Sequence, residues 1–206
     1  MRTLLTLLLT LCALPAWAQV ETLHQAAAAG SLAEVQRLLA AGTPLDARNA
    51  DGETPLYAAV EAGHAELAKY LLDKGADLKA ASANGETVLH AAALNGDAGL
   101  LAALLGRGAE PNRANRDGER PLHWAALAGM GRAAQVLIER GAEVNALDAR
   151  GNSALHGAAD SGHETAAWLL LEAGAKPALR NTAGETALDL ARRRAHVGLV
   201  RLLQSR

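Results

Sequence analysis

The chain has 206 residues, half of them hydrophobic, with 20 Lys and Arg against 22 Asp and Glu, 2% aromatics and no Phe. Apolar content this high and charge this balanced exclude a disordered chain and a strongly polyanion-seeking one. The single cysteine, Cys12, excludes a disulfide framework and a multi-cysteine metal site. A core without Phe has to be Ala, Leu and Val, which points to short, closely packed helices.

In chain order, Arg2 is followed by a run from Leu4 to Leu14 that is apolar apart from Thr6 and Thr10, and then by Pro15-Ala16-Trp17-Ala18. This pattern predicts a secretory signal peptide over 1–18, cleaved after Ala18. The alternative is an uncleaved membrane anchor, for which the apolar run is short. A lipoprotein reading through Cys12 is opposed by Leu11, which stands where such signals carry a small residue. Cleavage would remove Arg2 and Cys12, leaving no cysteine, which suits an oxidising compartment. No later segment is apolar enough for membrane insertion after cleavage.

A period of 33 organises the remainder. Leu23, Leu56, Leu89, Leu122, Leu155 and Leu188 form one column, and Ala26, Ala59, Ala92, Ala125, Ala158 and Ala191 another. Gly42, Gly75, Gly108, Gly141 and Gly174 make a third, and Gly52, Gly85, Gly118, Gly151 and Gly184 a fourth. Within one repeat, Thr54 is a good N-cap and Pro55 fits the first helical position. The helix passes through Leu56, Ala59 and Val60, and Gly63 ends it as a left-handed cap. A second helix from about Ala65 to Lys74 places Leu67, Leu71 and Leu72 on one face before Gly75. Residues 76–86 read as a turn or hairpin. Helices this short hold only when stacked on neighbouring copies.

Thr54-Pro55-Leu56-Tyr57-Ala58-Ala59, Thr87-Val88-Leu89-His90-Ala91-Ala92 and Pro121-Leu122-His123-Trp124-Ala125-Ala126 resemble the T-P-L-H-x-A signature of ankyrin repeats. Gly63-His64 and Gly75-Ala76-Asp77 match two later landmarks of that family. The resemblance implies an all-α ankyrin-repeat α-solenoid of helix-turn-helix-hairpin units over 19–206. Its units would be an N-terminal cap over 19–50, then 51–83, 84–116, 117–149 and 150–182, and a C-terminal cap over 183–206. Gln19, Arg120 and Arg192 depart from the pattern, and Arg120 should start its helix less firmly than Thr would.

His24, His90, His123 and His156 share a column and invite a metal hypothesis. Stacked helices lie about 8–10 Å apart, however, so rings one repeat apart are poorly placed to share an ion at bond lengths of about 2 Å. The resemblance implies instead a hydrogen bond from each ring to the Thr or Ser that opens its helix, as in Ser153/His156. His64 and His163 read as turn residues. No metal or cofactor is expected. Ser153, His156, Asp160, Ser161 and His163 form the densest polar cluster, but without a strained G-x-S-x-G turn, a cysteine or a phosphate loop no catalytic residue is assigned. Arg192-Arg193-Arg194 reads as a solvated helix end, and nucleic acid is not an expected partner.

The resemblance places partner contacts at the hairpin tips and the exposed ends of the first helices. The tips supply Asp51, Glu53, Asn84, Glu86, Arg116, Asp117, Glu119, Arg150 and Asn152; the helix ends supply Glu61, Leu94, Asn95, Leu127 and Asp160. Leu94 and Leu127 read either as a small apolar patch with a polar rim or as scattered surface leucines. Trp124, with Ala91 and Gly157 as column neighbours, is either core filling or half presented to a ligand. Glu53, Glu86, Glu119 and Glu185 form an acidic row, suited to a basic partner or simply solvated. Trp168, in an otherwise polar column, marks either a second contact or local packing.

The resulting expectation is an exported monomer, periplasmic or secreted, that binds another protein and assists or protects an envelope enzyme. An immunity or inhibitor protein and a structural spacer are the alternatives.

Overall fold

Thr54 opens the helix that the sequence predicts. Its backbone is extended (φ −98°, ψ 162°), its Oγ1 accepts the Tyr57 amide at 3.3 Å, and Pro55 takes the first helical place. Helix α3 then runs Pro55–Glu61, and Gly63 (φ 80°) closes it while the His64 amide donates to the Ala59 carbonyl at 2.8 Å. The second helix of this repeat, α4, spans Ala65–Asp73 and buries Leu67, Ala68, Leu71 and Leu72.

The computed structural model describes residues 15–206, and all the regular structure it assigns there is helical apart from isolated bridges. It divides the chain into two compact units, Met1–Ala83 and Asn84–Arg206, at a boundary between expected repeats. The described part of the first holds α1 (Ala16–Ala28), α2 (Leu32–Ala40), α3 and α4. The second holds α5 (Val88–Asn95), α6 (Ala98–Gly106), α7 (Pro121–Leu127), α8 (Gly131–Glu139), α9 (Ala154–Ser161), α10 (Glu164–Glu172), α11 (Ala187–Arg193) and α12 (Val197–Gln204).

In the second unit, first helices pack in the order α5, α7, α9, α11 and second helices in the order α6, α8, α10, α12, each first helix also touching its own second helix. The core is the predicted Ala and Leu: Leu89, Ala92, Leu122, Ala125, Leu155 and Ala158 in the first row, Leu101, Leu104, Leu137 and Leu170 in the second, all buried. Columns of Ala let the rows approach closely, which leaves little volume for an aromatic ring.

Successive hairpins of this unit are tied by main-chain bonds. The Arg116 amide donates to Asn84 O at 2.8 Å, Ala149 to Asp117 O at 2.8 Å and Thr182 to Arg150 O at 2.8 Å. Such contact leaves no room for a side chain at the tip: a Cβ on Gly118 (φ 75°) would lie 2.9 Å from the Ala149 nitrogen.

At four of the second helices the residue that precedes the helix also reaches back one repeat. The His64 ring covers Gly30 in the first unit; in the second, Met130 covers Gly96, His163 covers Gly129 and His196 covers Gly162. His64 Nε2 donates to Ala28 O at 2.9 Å and His196 Nε2 to Asp160 O at 3.1 Å. These side chains are therefore inter-repeat fasteners as well as turn residues. Ala195 (φ 59°) holds the corresponding glycine place in the last repeat.

The expected signal peptide falls mainly on residues 1–14, outside the described residues; its last residues enter α1, whose first turn contains Ala18 and Gln19. Among the described residues no helix is long and apolar enough to cross a membrane.

Candidate partner-binding groove

Three buried imidazoles set the frame of the inner face of the second unit. His90 Nδ1 accepts the Thr87 amide at 3.0 Å and lies 3.0 Å from Thr87 Oγ1, while Nε2 reaches Glu119 O at 3.1 Å. His156 repeats this with Ser153 (amide 3.1 Å, Oγ 2.9 Å) and Glu185 O (3.2 Å). One nitrogen accepts and the other donates, so the neutral ring with its proton on Nε2 satisfies both. Burial lowers the pKa of His90, His123 and His156, opposed in each case by carbonyl bonds and nearby carboxylates.

The expected bond to an opening Thr or Ser fails at two rings of this column. His24 meets Val20 O and Glu53 O, each at 2.8 Å, because α1 starts at Ala16 and runs through the place where a cap would stand. His123 Nδ1 takes the Arg120 amide at 3.0 Å, but a guanidinium has no acceptor to return to the helix. Arg120 Nε is buried without a partner while its Nη1 pairs with Glu143. The weak start expected for this helix thus has a structural form.

A groove of about 290 Å³ lies within the second unit, over α7, α9 and α11. Six expected residues line it: Glu119, Trp124, Leu127, Arg150, Asn152 and Asp160. Its lining includes Gly157, which shares a column with Trp124 and Leu190 and presents no side chain where they carry large ones. Trp124 is half-buried. Its Nε1 donates to Glu119 Oε2 at 2.9 Å and its ring meets His90 edge-on, centroids 5.3 Å apart at 77°. Leu127 is 48% exposed and Leu94, outside the groove, 42%.

Other expected contacts are placed elsewhere. Arg116 and Asp117 are exposed at the hairpin tip, Asn95 is exposed at the end of α5, and Asn84 donates to Glu86 Oε1 at 3.1 Å. In the first unit, Asp51 and Glu61 are exposed and Glu53 is half-buried. Trp168 is 47% exposed beside Glu164, Thr165 and Leu202.

One surface reading changes. The acidic row is a half-buried set of internally bonded carboxylates rather than a solvated edge: Glu53 accepts from Asn49 Nδ2 (2.9 Å), Glu119 from Asn115 Nδ2 (3.1 Å) and Glu185 from Arg193 Nη1 (2.9 Å). The C-terminal arginines are exposed, as expected of a solvated helix end, and two of them also form ion pairs. Arg194 binds Asp160 through Nε (2.9 Å) and Nη2 (3.0 Å), and Arg193 spans Glu185 and Asp160. These bonds, Arg194 foremost, hold the Asp160 carboxyl below its ordinary range. Sequence reasoning missed Asp148 and, as groove-lining residues, Glu185 and Arg193. Asp148 had a signal, since it shares a column with Asn49, Asn115 and Asn181 and like them binds amides two and four residues ahead.

Among the described residues no group of three or more His, Cys, Asp or Glu is placed to hold a metal.

Stacked helix-turn-helix units joined by bonded hairpins define an α-solenoid repeat protein. The family model described as Ankyrin repeats (3 copies) matches residues 23–115, 95–181 and 122–206, and the chain belongs to that family. No curated protein matches the chain. Ankyrin repeats form protein–protein interaction modules, generally without catalytic activity.

Proposed function

We propose that this is an exported binding protein. The leader at 1–18 would direct it out of the cytoplasm, to the periplasm in a Gram-negative source, where it captures another protein on its hairpin tips and first-helix ends and assists or protects that partner. The observation that carries the binding face is the groove over α7, α9 and α11, where exposed Leu127 and half-buried Trp124 meet a polar rim. Each wall is fixed by bonds between repeats, so binding there orders little of the protein. The variety of the tips, with Asp51, Arg116 and Arg150, disfavours a featureless spacer.

Capture of one reproducible partner from an envelope fraction, identified by mass spectrometry, tests the reading. Leu94→Arg combined with Leu127→Arg should weaken that capture at least about tenfold, as the loss of a small hot spot does, while helical circular dichroism and melting stay unchanged. Capture by the folded double variant at wild-type affinity would overturn the assignment of this face.

A further inference from the structure

The groove carries more chemistry than an apolar patch. Four carboxylates line it, those of Glu119, Asp148, Asp160 and Glu185, against the guanidiniums of Arg150 and Arg193. Two of the four are already matched by cations, since Asp160 sits on Arg194 and Glu185 on Arg193. Glu119 and Asp148 are held by neutral donors. Glu119 Oε2 takes Asn115 Nδ2 and Trp124 Nε1; Asp148 Oδ1 takes the amides of Arg150 (2.8 Å) and Asn152 (2.7 Å), and its Oδ2 takes Asn152 Nδ2 (3.2 Å). Neutral donors orient a carboxylate without cancelling its charge. The nearby imidazoles of His123 and His156 add no charge in the neutral form that their bonds require.

The same groove is lined by the Trp124 indole, which is held on one side by Glu119 and on another by the His90 edge. Beside it, Gly157 presents no side chain to the groove, and an added Cβ would meet only Leu127, at an ordinary 3.7 Å, with buried Leu190 in the same lining. An aliphatic stem fits the slot over that glycine, and a planar cation lying on an indole beside two uncancelled carboxylates gains stacking and charge together.

We propose that the groove receives an arginine side chain from an extended segment of the partner, its stem over Gly157 and its guanidinium against Trp124 beside Glu119 and Asp148. This rests on the partner-binding reading above and names the chemistry that the partner must present.

The probes are acetyl-Ala-Ala-X-Ala-Ala-amide peptides with X as Arg, Leu or Glu, titrated into the purified full chain while the indole N–H resonance of Trp124 is followed. The arginine peptide should shift that resonance saturably and bind at least about fivefold more tightly than the other two, the ratio that one cation–π contact supplies. Gly157→Leu fills the slot, and its column already accepts Trp124 and Leu190; Glu119→Gln keeps the acceptor for Trp124 and removes the charge. Each should weaken the arginine peptide by a similar factor. Equal or tighter binding of the leucine peptide would make the groove a purely apolar slot and overturn the proposal. Preference for the glutamate peptide would place selection on Arg150 and overturn it as well, as would the absence of saturation with any peptide. If the probes fail while partner capture persists and is lost in the Leu94→Arg, Leu127→Arg variant, this inference falls and the partner-binding reading stands.

Discussion

The hairpin side and the outer-helix side of the second unit are fastened by different physics. Hairpins are joined through directional polar contacts: amide-to-carbonyl bonds at Arg116, Ala149 and Thr182, and imidazoles that reach the next hairpin from His90, His123 and His156. The outer row is held by burial of Leu101, Leu104, Leu137 and Leu170. Apolar burial tolerates small slips, whereas a bond between particular backbone atoms does not. The hairpin side therefore sets register and the outer side supplies bulk cohesion.

Acidification should separate the two most strongly. Burial keeps the folded pKa of the three inner-face histidines below the ordinary 6.5. Their contribution is fully present above pH 6.5 and is lost as pH falls from there through the lowered folded values, because the unfolded chain takes up the protons first. Each ring can remove at most about 1.4 kcal/mol per pH unit in that window. Denaturant midpoints at pH 7.5 and 5.5 measure the loss, and His156→Gln should reduce its pH dependence. A midpoint flat across this range would show that the rings do not fasten the hairpins.

Next in size are paired glycine substitutions. Gly118 and Gly108 both have left-handed φ, 75° and 94°, but a Cβ on Gly108 meets nothing within 4 Å. Gly108→Ala should cost only the conformational strain, about 1–2 kcal/mol. Gly118→Ala adds a collision with the next hairpin's backbone and should cost about 2–4 kcal/mol. Equal losses in thermal melts would deny the hairpin side its tighter fit.

The smallest effect is a gain. Arg120→Thr should restore the reciprocal cap seen at Thr87 and relieve the unpartnered Nε, against loss of the partly exposed pair with Glu143. A net stabilisation of about 1 kcal/mol is expected from denaturant unfolding.

The sequence made the outer-helix side and the helix order almost fully legible, because Leu, Ala and Gly columns report conformation along the chain. The hairpin side was legible only in part. That Gly118 needs its hydrogen for contact as well as for φ depends on how closely Ala149 approaches, which no column states. The row of Glu53, Glu119 and Glu185 looked like an edge because the asparagine or arginine that satisfies each one is visible only in space. In the groove, Trp124, Leu127 and Gly157 were readable as departures from their columns. The column of Asp148 marked it as a turn residue, while its place in the groove was visible only in space.

The ring that covers the preceding repeat's glycine also makes these repeats order-dependent. Gly129 and His163 are one half-joint each, carried on successive repeats. A transplanted repeat must therefore bring a covering side chain and find a glycine waiting for it. The last unit, with Ala195 where the glycine would be, cannot be copied into the interior unchanged: its methyl group would stand in the socket. Duplicating interior units should lengthen this chain, while duplicating the last should produce a seam.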